Sequence, residues 1–307
     1  MKKTNLIYIA LLLVGCSNAS PLENNVVSEE IGTEIEVVEN VTEKESTQES
    51  TTTKVILVDS VVLMEEVKPI VTESKVESET IANPVEIQAD SFHDYIQWSA
   101  FLTQHVSSSG KVNYAKIKTD TKQLNAIILL FEKNYPSSSW SSKQRLTYWI
   151  NAYNLYTLKF VSDHYPTSSI TKITAKPWDK KFISLGGETL SLNDIEHKKI
   201  RAKNNEPRIH FALNCASESC PMLYNKAFTA KNLSYQLTKQ TKRFLADKSK
   251  NDFSDSNNVK ISSIFDWYKG DFVKKEGSVI AFINKYRTEQ LSDPKISYLK
   301  YLWGLND

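Results

Sequence analysis

The chain has 307 residues, with 38 Lys and Arg against 36 Asp and Glu and a formal net charge of +2. At 40% hydrophobic residues with 12 Phe and 14 Tyr it can bury a sizeable core, which excludes collagen-like and low-complexity classes. Three cysteines exclude a disulfide-dense scaffold. No G-x-x-x-x-G-K-[ST], G-x-G-x-x-G, G-x-S-x-G or H-E-x-x-H pattern occurs, so no nucleotide cofactor or resident metal is expected.

The first sixteen residues, "MKKTNLIYIALLLVGC", place two lysines before a short apolar run that ends at Gly15 and Cys16. That is the layout of an export signal, too short to cross a bilayer as a mature helix. "LVGC" matches a bacterial lipobox, so residues 1–15 are expected to be a lipoprotein signal peptide and Cys16 to carry the lipid. Ser17 in place of Asp points to an outer-membrane address facing the periplasm. Lipid on Cys16 leaves Cys215 and Cys220 as an even pair in an oxidising space.

Residues 16–90 are expected to be an acidic, disordered linker. From 21 to 90 there are 17 Asp and Glu against 4 Lys and no aromatic residue, too little apolar surface to offset ordering entropy. The β-branched stretch Lys54–Val67, "KVILVDSVVLMEEV", is the one segment there that predicts a strand. A flexible linker of this length reaches about 50 Å, so the body can work away from its lipid.

Residues 91–307 reverse the charge, with 32 Lys and Arg against 19 Asp and Glu, and hold all six tryptophans. A basic body suits an anionic envelope polymer or an envelope protein; export makes nucleic acid an unsuitable partner. Helical spacing runs from Phe92 to Val106 and again through "KQLNAIILLFEKNY", which stops at Pro136. The longest helix should open at Ser141 or Ser142 and close before Pro166. A hairpin is expected around Gly186-Gly187, then a helix near Leu192 capped by Ser191 or Asn193. "RIHFALNC" reads as a short buried strand, "KNLSYQLTKQTKRFLAD" as a basic amphipathic helix, "VKISSIFDWYKGDF" as a strand at its start and "SVIAFINKYR" as a helix. The fold class is α+β: a single mixed domain, mostly helical with a small sheet, after a disordered N-terminal tether.

The candidate site centres on "IHFALNCASESCPML", which puts His210, Asn214, Cys215 and Cys220 close together. On a strand, His210 and Asn214 would face one way and Cys215 the other, so His210 and Cys215 would not meet. Three readings stay open. Cys215 and Cys220 form a disulfide that closes a four-residue loop. Alternatively, one of them is a catalytic nucleophile, with His210 as base and Asn214, Asn151 or Asp266 orienting the imidazole, which resembles papain-like and transglutaminase-like hydrolases in residue types. In the third, the two cysteines and His210 bind metal, although C-x4-C does not match common zinc spacing, so no metal is expected. In "YWINAYN", Asn151 and Asn154 share a helix face. With Trp149 they either line a pocket or brace neighbouring backbone. Asp266 is either a turn or cap acid or a buried partner of His210. His197 is expected at the surface.

The stretches "YWINAYNLYTLKFV", "PWDKKFISLGGETLSLNDIEH", "EPRIHFALNCASESCP" and "ISSIFDWYKGDF" together resemble the DUF547 domain family of bacterial exported proteins and some plant proteins. "GKVNYAKIK" and "YLKYLWGLND" resemble its opening and closing segments, so the resemblance spans nearly all of 91–307. It implies a DUF547-like domain of undefined activity. The expected function is thus a membrane-anchored envelope lipoprotein, attached to the bilayer through acylated Cys16, that binds an envelope polymer or partner. The alternative is a cysteine/histidine-dependent amide hydrolase or acyl-transfer enzyme of the envelope.

Overall fold

A computed structural model describes residues 91–307, together with two short strands, β1 (Ile56–Val58) and β2 (Val61–Leu63). The expected signal peptide, Cys16 and most of the linker lie outside the described residues. β1 and β2 pair antiparallel with Ile56 opposite Leu63, within the segment expected to form a strand.

The body begins with three helices: α1 (Ile96–His105), α2 (Tyr114–Thr119) and α3 (Thr121–Lys133). They surround α4 (Ser142–Asp163), the central helix. α4 starts where the serine pair predicts. The Ser141 hydroxyl accepts from the Gln144 N–H at 3.2 Å, and the Gln144 side chain accepts from the Ser141 N–H at 2.8 Å. This reciprocal cap satisfies two of the amides that a helix start leaves unpaired. Sixteen of the helix's 22 residues are buried, Asn151 and Asn154 among them.

The hairpin β3 (Ile183–Leu185) and β4 (Glu188–Leu190) turns at Gly186 and Gly187, with φ of 60° and 77°. Two consecutive left-handed residues are what a tight two-residue hairpin needs. At Gly186 a Cβ would also lie 2.4 Å from the Tyr135 ring. The next segment, Asp194–Ile200, winds as a widened helix with i→i+5 hydrogen bonding. Of the two expected caps, Asn193 holds the cap position without a side-chain bond, and the Ser191 hydroxyl accepts from the Asp194 N–H at 3.1 Å.

The second half contributes α5 (Leu233–Ala246), β5 (Asn258–Ser262), α6 (Ile264–Trp267), α7 (Lys269–Glu276), α8 (Val279–Asn284) and β6 (Lys295–Leu299). β5 and β6 pair in parallel, joined by the three intervening helices. Helices dominate, and the strands form only two-stranded sheets, so the α+β expectation holds. No helix among the described residues is long and apolar enough to cross a membrane.

Two apolar clusters fill the body. One gathers around α1 to α4 and the β3–β4 hairpin; the other joins Phe211, Phe244, Phe265, Phe272 and Phe282. The "RIHFALNC" segment runs along the seam, sending Ile209 into the first cluster and Phe211 into the second.

Candidate functional site

The seam segment departs from the expected strand. Pro207–Phe211 is a 3-10 turn, opened by Glu206, whose side chain accepts from the Arg208 N–H at 3.3 Å. Pro207 fixes a helical φ at the first position, and no neighbouring strand offers these residues a ladder, so the β-branched and aromatic composition is overridden. Strand alternation is lost. His210 and Cys215, expected on opposite faces, both open onto one cavity of about 220 Å³.

Of the two helix asparagines only Asn154 braces this segment, and neither is among the residues that line the cavity. The Asn154 side chain donates to the Ala212 carbonyl at 2.9 Å and accepts from the Asn214 N–H at 2.9 Å. Asn151 does the same to Phe228, through bonds of 2.9 and 3.0 Å. Each buried amide thereby gives one donor and one acceptor to an otherwise unpaired stretch of backbone. Trp149, expected beside them in a pocket, instead packs edge-on against Tyr135 and Tyr148.

Asn214 is a brace as well and does not orient the imidazole. Its amide donates to the Pro221 carbonyl at 2.8 Å, and its oxygen accepts from the Ala216 N–H at 3.0 Å. These bonds close the loop that carries both cysteines, with Ala216 held at a φ of 62°. The C-terminal segment zips onto the same loop. Glu218 N–H donates to the Gly304 carbonyl at 2.8 Å, and Leu302 N–H donates to the Ser219 hydroxyl at 2.8 Å.

Within the loop, Cys215 Sγ and Cys220 Sγ are 2.6 Å apart, longer than a disulfide bond. The Cys215 N–H donates to Cys220 Sγ at 2.8 Å. The Tyr301 hydroxyl lies 3.2 Å and the Ser217 hydroxyl 3.3 Å from Cys215 Sγ. Burial pushes the Cys215 thiol up, but hydrogen bonds from Cys220, Ser217 and Tyr301 outweigh it, and the net direction is down. Burial and the neighbouring sulfur push Cys220 up. The pair is therefore unequal, with Cys215 the readier thiolate. Burial also raises Tyr301, which stays a phenol and donates.

His210 is buried, and its Nε2 donates to Asp271 Oδ2 at 2.8 Å. Asp271, two residues into α7, also accepts two bonds from Arg201, at 2.7 and 3.1 Å. Hydrogen bonds from His210 and Arg201 hold the Asp271 carboxyl well below the usual carboxylate range. Burial lowers His210 and outweighs the carboxylate, so the imidazole is neutral. With Nε2–H given to Asp271, Nδ1 carries the lone pair. The ring stacks on Tyr268, with centroids 3.8 Å apart.

Asp266, the acid weighed as a partner of His210, is exposed and plays no part in this arrangement; the partner is Asp271, five residues on in the same "FDWYKGDF" stretch. His197 lies at the surface, 2.7 Å from Arg201 Nη1. Glu196 is the residue that the sequence did not single out. The widened helix turns it inward, 4% exposed, into the cavity wall, with Oε1 buried and without a hydrogen-bond partner. Aromatic rings supply much of the remaining wall: Tyr153, Trp178, Trp267, Tyr268, Tyr301 and Trp303. A Glu-His adjacency before a helix gives little warning of this, because the i→i+5 winding that aims Glu196 has no simple sequence period.

Residues 137–245 match the family described as "Protein of unknown function, DUF547". The matched stretch holds α4, the braced cysteine loop, His210 and Glu196; Tyr268, Tyr301 and Trp303, which complete the cavity, and Asp271, which holds His210, lie beyond it. Neither a curated protein nor a solved structure matches the chain.

Proposed function

We propose that this chain is a lipid-anchored envelope protein whose DUF547-type region carries out thiol-dependent acyl transfer or hydrolysis on amide bonds, with Cys215 as the nucleophile. One observation carries the reading. Cys215 Sγ, held by hydrogen bonds that favour its thiolate, opens onto the same cavity as a neutral imidazole whose tautomer is fixed by Asp271. In the proposed step the thiol proton passes to His210 Nδ1 and the sulfur adds to the amide carbonyl carbon. The C–N bond then breaks, His210 returns the proton to the leaving amine, and a thioester forms on Cys215. Water or a second amine releases the acyl group and restores the thiol. Asp271 holds the ring and stabilises the imidazolium while it exists.

The envelope part of the proposal rests on the export signal and on Cys16, with the outer membrane as its address. The acidic linker keeps the body reachable at a distance from the lipid. The net charge of +13 over residues 91–307 suits an anionic envelope polymer or an envelope protein as its target.

The 2.6 Å separation of the sulfurs favours a second reading. In an oxidising compartment Cys215 and Cys220 close as a disulfide, and the body binds its partner without covalent chemistry.

The test uses full-length protein recovered from membranes with detergent and then reduced. Incubated with amide-containing envelope fragments, it should gain an acyl mass on Cys215 that hydroxylamine removes, and Cys215→Ala should abolish the gain. Cys16→Ser should leave the protein in the soluble fraction. A Cys215→Ala protein that processes the fragments as fast as wild type contradicts the thiol reading.

A further inference from the structure

The cavity's formal charge runs against the rest of the body. Residues 91–307 carry a net +13, yet among the described residues that line the cavity there is no Lys or Arg, and Glu196 is the only acid. Arg201 is committed to Asp271 through two bonds and to His197 through a third, and its guanidinium lies over the Tyr268 ring at 5.0 Å. Glu196 Oε1, meanwhile, is buried and has no hydrogen-bond partner. A buried carboxyl oxygen left unpaired is costly, and such a group is a place to look for a donor that arrives from outside.

The rings around it have a chemistry of their own. Trp178 and Trp303 lie 5.3 Å apart, Trp303 stacks on Trp267 at 5.9 Å and 14°, and Tyr301 sits 4.6 Å from Trp303 and 4.7 Å from Trp267. Tyr268, also in the wall, is already engaged by His210 and Arg201, which leaves the three tryptophans and Tyr301 as the rings free to meet a ligand. Ring faces attract cations, and an aromatic enclosure with one acid is the arrangement that selects an ammonium over a neutral or anionic group of equal size. The volume sets the scale. About 220 Å³ is below the usual range for a whole drug-sized ligand, so the cavity takes the end of a chain and not a polymer segment.

We infer that the cavity is a recognition site for a primary ammonium on a short alkyl chain, with Glu196 accepting from the ammonium and Trp178, Trp267 and Trp303 enclosing its stem. In combination with the proposed thiol chemistry, and resting on that reading only to this extent, the ammonium belongs to the substrate: an amide or amine whose reacting group reaches Cys215 while its charged end meets Glu196. Trp267, 49% exposed, stands at the rim, where it can close over the stem without disturbing the core.

The experiment titrates reduced full-length protein with n-butylammonium chloride and follows tryptophan fluorescence, because three of the six tryptophans line the site. Sodium butyrate and butan-1-ol, of matched size, are the controls. The inference expects a saturable change with butylammonium alone and a loss of affinity of at least about ten-fold in Glu196→Gln, which keeps the shape and removes the charge. Trp267→Leu, at a half-exposed position that should not affect folding, should also weaken binding and serves if Glu196→Gln fails to fold. Binding is read by fluorescence and the thiol chemistry by the acyl mass on Cys215, so loss of the thiol chemistry and loss of ammonium recognition register separately. Equal binding of butan-1-ol, unchanged affinity in both the Glu196 and Trp267 variants, or no saturable response to butylammonium would overturn the inference.

Discussion

At the scale of single residues, Asp271 fixes the state of the site. It accepts from His210 and twice from Arg201, so its removal unpairs a buried imidazole N–H and frees a guanidinium. Asp271→Asn keeps the shape but can accept at only one oxygen, and it should cost about 2 kcal/mol in urea unfolding at pH 7. The wild-type protein should also be acid-labile in two stages. His210 binds its proton less readily in the fold than its ordinary value of 6.5, because of burial. As the pH falls below 6.5 the unfolded chain therefore takes up a proton that the native state resists, and stability declines. Asp271 is also depressed, from an ordinary 3.8, so its contribution is present above that pH and is lost as the pH falls further, through its native value. Asp271→Asn should shrink the second stage and leave the part that comes from Asp194, whose carboxyl Lys198 and Ser191 hold down in the same way. A melting temperature flat between pH 7 and pH 5 would show that His210 is not buried neutral.

At the scale of elements, α4 acts as a rack: it is buried on every side from Leu146 to Leu158, and two asparagines on it hold two separate loops. Asn154→Ala leaves the Ala212 carbonyl and the Asn214 N–H unpaired beneath the cysteine loop, and should cost about 2–4 kcal/mol. Ser141→Ala, at the cap of the same helix, should cost only about 1 kcal/mol. The more telling readout is alkylation: Asn154→Ala should speed labelling of the buried Cys220, and Ser141→Ala should not. Equal labelling rates in the two variants would mean that the loop keeps its shape without the brace.

This scale also shows what the sequence makes legible. α4, the Gly186-Gly187 hairpin, α5 and β5 follow from caps, glycine pairs and apolar spacing, all local signals. The "RIHFALNC" segment did not yield to them, because its conformation is set by Pro207, the Glu206 cap and two flanking clusters distant in the chain. The acid that holds His210 is not legible for a related reason. Asp266 and Asp271 share one short stretch, and only the tertiary path of α6 and α7 decides which of them faces inward. Glu196 escaped because a widened helical turn aims it.

At the scale of the whole molecule, two apolar clusters meet along one segment, and the cavity lies at that seam, closed on one side by the C-terminal residues Tyr301 to Leu305. Asp271, Tyr268, Tyr301 and Trp303 lie outside the 137–245 stretch that matches the family, so the site needs the flanking segments as well as the matched one. A truncation to 137–245 would keep both cysteines but lose the acid that orients His210 and much of the aromatic wall.

The measurement that bears most directly on this account is the relative rate at which the two thiols are alkylated. Full-length protein, reduced and then freed of reductant, is treated with iodoacetamide at pH 7 and sampled by peptide mass. Cys215 should be labelled at least about ten-fold faster than Cys220, because its thiolate is the favoured one and it is only half-buried where Cys220 is buried. Equal rates, or faster labelling of Cys220, would contradict Cys215 as the nucleophile.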